Sequence, residues 1–149
     1  MTGSLTHSPA DVIRHMLIDL GLGTLPSGDN AWPVFCPSEP DSPDSVITVR
    51  TTGGRDDGRF QTDGERQGHP GIQIRVRSPR PDTGWEKANA VAVALDAIAN
   101  QTVPISGTTY TVYAVTRKGN VIPLGPDSPK SERFLFTINA TVSLRDTTS

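Results

Sequence analysis

Residues 132–144 read ERFLFTINATVSL, and their alternation decides the fold. In an extended chain, Phe134, Phe136, Ile138, Ala140, Val142 and Leu144 point one way. Leu135, Thr137, Asn139, Thr141 and Ser143 point the other way and are mostly polar. The segment is therefore predicted to be a long strand in a sheet with one face buried and one face polar. Upstream lie three shorter runs at 103–105, 109–116 and 121–124, rich in Val, Thr and Tyr. Ser106-Gly107 separates the first two, and a turn at 117–120 separates the second from the third. Turns rather than helices join these strands, so the sheet is expected to be mainly antiparallel.

Working towards the N-terminus, the helix expected to cover the apolar face begins near Thr83 and Glu86, which have capping-box spacing. Its stripe is Trp85, Ala88, Ala92, Leu95 and Ala99, flanked by Val91 and Ile98, and Asn100 ends it. Ahead of it, Ile72, Ile74 and Val76 alternate with Gln73, Arg75 and Arg77, predicting a half-buried strand. Residues 46–51 form another strand. The run 32–36 contains Pro33 and can only be an edge strand or a strand start. A first helix is expected over 9–20, with Ser8 as N-cap, Pro9 at N1, Asp11 at N3, and Val12, Ile13, Met16, Leu17 and Leu20 on one face. Gly21 stops it. The fold class is thus α+β: a mainly antiparallel sheet with two helices packed on one face, in a single domain over residues 1–149.

The stretch 53–70, GGRDDGRFQTDGERQGHP, holds one large apolar residue, Phe60, among glycines and charges. It has too little to bury to be fixed in a lone subunit. Because credible strands flank it, it is expected to be a mobile arm, an extended hairpin excursion that orders on assembly. Residues 37–45 are rich in Pro, Ser and Asp and read as an exposed turn, and 145–149 as a frayed tail.

Composition narrows the function classes. The chain weighs 15.9 kDa, 34% of it is hydrophobic, and its mean hydropathy is -0.34. No apolar run approaches the ~18 residues of a membrane span, and 1–8 do not look like a signal peptide, so a protein kept inside a cell is expected, with no membrane partner. A lone cysteine, Cys36, forms neither a disulfide framework nor a cysteine zinc site. His7, His15 and His69 lack partners at metal spacing. Asp56, Asp57, Asp63 and Glu65 lack the ordered spacing of a calcium loop. Neither a nucleophile elbow nor a P-loop is present. A small metal-dependent enzyme using the acidic loop and His69 is therefore disfavoured, and no catalytic residue, metal or cofactor is expected. A DNA-binding role for Arg75, Arg77 and Arg80 is disfavoured by the net charge of -2.

Charge divides by region. Residues 1–49 carry Arg14 against six acids, net -5, whereas 50–87 carry eight basic residues against six acids, net +2. Opposite charge in different parts of one chain suits copies that touch head to tail. Arg75 and Arg77 should lie on the polar sheet face and serve assembly rather than core stability. Arg55, Arg59 and Arg66 are placed to pair with the acidic region of another copy, with Phe60 as an apolar anchor.

Two stretches carry a family resemblance. GIQIRVRSPRPDTGWEKANAVAVALDAI, 71–98, is a strand ending in Arg-x-Arg-Ser, a break, and a helix beginning near an aromatic. VIPLGPDSPKSERFLFTINATVSL, 121–144, is a short strand, a Leu-Gly-x-Asp turn, a loop with Arg133, and the long alternating strand. Together they resemble the tail terminator and minor capsid (tail completion) proteins of long-tailed bacteriophages. The resemblance implies a structural role without cofactor or reaction, in a virion assembled in the host cytoplasm. It implies a ring, expected to be a hexamer, at the head-proximal end of the tail tube. There it stops tube polymerisation and offers a surface for the head connector. Genomic DNA would pass through without specific binding. Asp127 and Arg133 join the arginines above as candidate contacts to neighbouring subunits or tube. The alternative is a head-side completion protein of the same neck, which would bind portal or adaptor instead of tube.

Overall fold

In the computed structural model, which describes residues 7–26, 31–40, 44–59, 66–126 and 133–146, the long alternating segment is the hub of the sheet. The elements, in chain order, are α1 (Pro9–Asp19), β1 (Val34–Phe35), β2 (Val46–Arg59), β3 (Arg66–Ser78) and α2 (Pro81–Asp96), followed by β4 (Gln101–Ile105), β5 (Thr108–Arg117), β6 (Ile122–Pro126) and β7 (Phe134–Asp146). The strand order is β1-β2-β3-β7-β5-β4, with β6 also paired to β7. β1 runs parallel to β2 while the other ladders are antiparallel, so the sheet is mixed. The parallel member is the short run carrying Pro33, which the turn-only argument did not reach, because that argument concerned only the C-terminal strands.

The register places Ile47, Val49, Ile74, Val76, Phe136 and Ile138 on one sheet face, and all six are buried. Val12, Ile13, Met16 and Leu17 of α1 and Ala88, Val91, Ala92 and Leu95 of α2 join them in one hydrophobic cluster. At about 25 cal/mol per Å² of apolar area, that burial is the main force holding the helices on the sheet.

Both helices start on proline. In α1, the Ser8 Oγ accepts from the Asp11 N–H at 3.1 Å, closing the first turn. Gly21, at φ 79°, lets the chain leave through the left-handed region. Leu20, expected on the buried face, is 39% exposed because the helix ends before its side chain reaches the sheet. α2 begins earlier than the capping-box spacing implied. Arg80 is its N-cap without a side-chain cap bond, and Pro81 opens the helix. The Thr83 N–H instead takes the Asp82 carboxylate at 2.8 Å. Its buried stripe is Gly84, Ala88, Val91, Ala92 and Leu95, while Trp85 is 44% exposed. A Cβ on Gly84 would stand 2.5 Å from Phe136 Cε2, so glycine sets how closely the helix approaches β7.

Two features of the sheet differ from a plain succession of hairpins. β4 and β5 do form one, closed by Ser106 and Gly107, both at positive φ (45° and 86°). β5 and β6 do not: they lie end to end along the same edge of β7, β5 against 140–146 and β6 against 134–137. The Lys118 N–H to Asn139 carbonyl bond of 2.8 Å carries the pairing on past the end of β5. Residues 117–120 thus bend one long edge strand instead of reversing it. Within β5, a bulge between Val112 and Ala114 leaves Tyr113 without a partner across the ladder. The extra residue shifts the alternation, so Val112 and Val115, three apart, are both buried.

Candidate assembly interface

The sheet face turned away from the cluster is a graded series of three rows across β2, β3 and β7, set by the register. The outermost row is Arg50, Gln73 and Asn139, and it is hydrogen-bonded throughout. Arg50 Nε donates to Gln73 Oε1 at 3.0 Å, and Gln73 Nε2 donates to Asn139 Oδ1 at 3.3 Å. The middle row is Thr48, Arg75 and Thr137, which continues to Ile122 of β6. The third row is Val46, Arg77 and Leu135.

This face is polar, but it is not uniformly exposed. Arg77 is 2% exposed, which corrects the expectation that it is a free surface residue. The reason lies in the segment before β2. Glu39 Oε2 lies 3.7 Å from the Arg77 guanidinium, and Arg77 Nε donates to the Asp44 carbonyl at 3.3 Å. Asp44 Oδ1 in turn lies 3.7 Å from the Arg133 guanidinium. Glu39 and Asp44, from the stretch expected to be an exposed turn, therefore cover Arg77 by charge and hydrogen bonding. A buried guanidinium needs such partners, since an uncompensated charge at that depth costs several kcal/mol. Sequence spacing does not reveal the cover, because Glu39 and Arg77 are far apart in the chain.

The middle row has no such cover chemistry. Arg75 is half-buried, and among the described residues its Nε has no hydrogen-bond partner. The flanking hydroxyls of Thr48 and Thr137, 1% and 4% exposed, also lack one.

β2 and β3 extend well beyond the strands expected at 46–51 and from Gly71. Arg55 pairs with His69, Asp56 with Gly68, and Arg59 with Arg66, across irregularities after Thr52 and after Asp56. A Cβ on Gly71 would run into the Gly53 carbonyl, so glycine is required where the two strands cross the first irregularity. His69 Nδ1 lies 3.0 Å from Ser143 Oγ, tying the base of this hairpin to β7. Phe60 and Asp127 lie outside the described residues, as do the side chains of Arg55, Arg59 and Arg66; of the other candidates, Arg75 and Arg77 share the polar face, and Arg77 and Arg133 meet at Asp44.

Other titratable groups serve the fold. His7 is held in place: its N–H donates to Tyr110 Oη at 3.0 Å, and its Nδ1 lies 2.7 Å from the same oxygen. Tyr110 is fully buried. Burial pushes the Cys36 thiol up and the Lys87 ammonium down, each away from its charged form. Lys87 still donates to the Leu22 carbonyl at 2.8 Å and stands 5.3 Å from the Trp32 ring centre. Among the described residues, no three His, Cys, Asp or Glu side chains gather as metal ligands, and no helix is long and apolar enough to cross a membrane. A cleft of about 410 Å³ between α2 and β5 is closed on one side by a bidentate pair: Arg117 Nε and Nη2 each lie 2.8 Å from an Asp96 oxygen.

Such a chain, with a layered polar sheet face and a long paired hairpin, has the makings of a structural assembly protein. The chain belongs to the bacteriophage tail terminator family: the family model described as "Bacteriophage tail terminator protein" matches residues 16–146. No match is found among curated proteins. Among solved structures, a chain of the "Virion of native gene transfer agent (GTA) particle" is similar at 12% identity and a TM-score of 0.47, with 75% of this chain and 78% of that one covered. The protein is thus a structural component of the phage tail, located in the virion and assembled with other virion components, and not an enzyme.

Proposed function

We propose that this chain caps the tail tube as a ring, six copies being the expected number, at the head-proximal end of the tail. The ring stops tube polymerisation and presents the surface that joins the head, with DNA passing through it unread. The observation that carries this reading is the family match across 16–146, nearly the whole described fold. The geometry supports it in two ways. In this reading the helices lie on one face of a mainly antiparallel sheet, leaving the layered polar face for neighbouring subunits. The β2–β3 hairpin, carrying Arg55, Arg59 and Arg66, reaches from the sheet to an adjacent copy or to the tube, with Phe60, next to Arg59 in the chain, as the apolar anchor. Arg133, just before β7, and Asp127 serve as further contacts.

The test is genetic and structural. Phage lacking this gene should make headless tails of uncontrolled length, and purified protein added during tail assembly should restore a fixed length. Electron microscopy of completed tails should show a closed ring at the head-proximal end. Tails of normal length in the mutant, with the protein bound to portal or adaptor instead, would favour the head-side reading. A single copy or an extended filament at the tail end would sink the ring.

A further inference from the structure

Every other arginine whose side chain is described has a partner within the chain. Arg14 meets Asp11 and Arg50 meets Gln73, while Arg77, Arg80, Arg117 and Arg133 each face an acid, and Arg145 is also engaged. Arg75 has none among the described residues, although it is half-buried and its Nε is fully covered. On either side of it stand two buried threonine hydroxyls, Thr48 and Thr137, also without partners among the described residues. Arg75 itself is only half-buried, so part of its side chain stays open, and a guanidinium can take both oxygens of a carboxylate. The cost of a half-buried, unpartnered guanidinium in the lone subunit is offset when such a group arrives.

We infer that this site receives a carboxylate from a second copy of the chain, and that the carboxylate is Asp19. This deepens the ring reading and rests on it. Two observations select the occupant. The first is charge: residues 1–49 are net -5 and 50–87 net +2, so the acidic region of one copy complements the strand region of the next. The second is the condition of Asp19. It is exposed, it has no ion pair or hydrogen bond among the described residues, and it sits in the last turn of α1, where no basic residue accompanies it. The helix dipole is negative there and repels it. The next residue, Leu20, is 39% exposed. The row of Arg75 likewise runs to Ile122, 44% exposed, with Leu124 at 48% nearby. A charged pair inside a rim of apolar side chains is the make-up of a specific contact. The two surfaces differ, so the contact is head to tail and propagates around a ring.

The experiment titrates full-length protein into tails that lack it and reads the concentration that completes half of them. Arg75→Glu and Asp19→Arg should each raise that concentration about tenfold or more, as loss of a central charged contact does. The double variant should return to within about threefold of the unaltered protein. Melting temperatures of all three should match the unaltered protein, because neither residue has an internal partner. Arg75→Glu completing tails at the normal concentration, or a double variant no better than the singles, would overturn the pairing while leaving the ring intact. If the unaltered protein completes tails as a single copy, the ring reading itself fails.

Discussion

At the scale of single residues, Arg75 and Arg77 are two positions apart on one strand and have opposite roles. Arg77 is buried against Glu39 and the Asp44 carbonyl. Arg77→Ala leaves the Glu39 carboxylate, 19% exposed, without its cation, so it is expected to cost about 2–4 kcal/mol. Urea denaturation checks this as a lowered midpoint at constant slope. Arg75→Ala in the same assay should move the midpoint little, and equal losses from both would contradict the division drawn between them. Tyr110 gives a second case. Its hydroxyl meets both the backbone N–H and the ring of His7, so Tyr110→Phe should cost about 1–2 kcal/mol. Amide exchange at the start of α1 should quicken in that variant. Alternation alone put both arginines on one face, and that much was legible. Which of them is covered depends on Glu39 and Asp44 reaching Arg77, and no local pattern encodes that.

At the scale of elements, α2 is positioned by one missing side chain and one ion pair. Gly84→Ala would raise helix propensity by about 1 kcal/mol, yet its Cβ would fall 2.5 Å from Phe136 Cε2 and 3.1 Å from Ser78 Cβ. The aromatic ring cannot withdraw from a packed core, so a net loss of about 1–3 kcal/mol is expected, read as a lower melting temperature. At the other end of α2, Arg117 holds Asp96 below the usual carboxylate range, chiefly by its hydrogen bonds. A depressed folded pKa contributes stability that is fully present above the unfolded value of about 3.9 and lost as pH falls through the folded one. Asp96 should therefore leave neutral-pH stability unaffected by small pH changes and contribute to acid unfolding below about pH 4. Asp96→Asn should flatten that acid limb, and a carbon-detected titration placing the Asp96 carboxyl at or above 3.9 would contradict it. The pair is half-exposed, so its worth at pH 7 is small.

At the scale of the whole molecule, the core and the hairpin are separable. Among the described residues, the buried cluster draws on β2 and β3 as far out as Val49 and Ile72. Deleting 56–67 with a short glycine linker should therefore keep the melting temperature within about 2–4 °C, the shift expected for ~1 kcal/mol in a domain of this size. In the ring reading it should also block tail completion. A deletion variant that yields tails of normal length that accept heads would show the hairpin to be dispensable. The sequence by itself determined the strands, both helices and the apolar face, because period-2 and period-3.6 spacing are local and follow from burying one side of each element. It also carried the family, through 71–98 and 121–144. Only the tertiary structure decided that β5 and β6 share one edge of β7, that β1 adds in parallel, and that Gly84 rather than Trp85 faces the sheet. It alone decided that Glu39 covers Arg77 while Arg75 stays without a partner among the described residues. These are pairings between distant segments, and the energy that selects them comes from contacts absent until the whole chain has closed on itself.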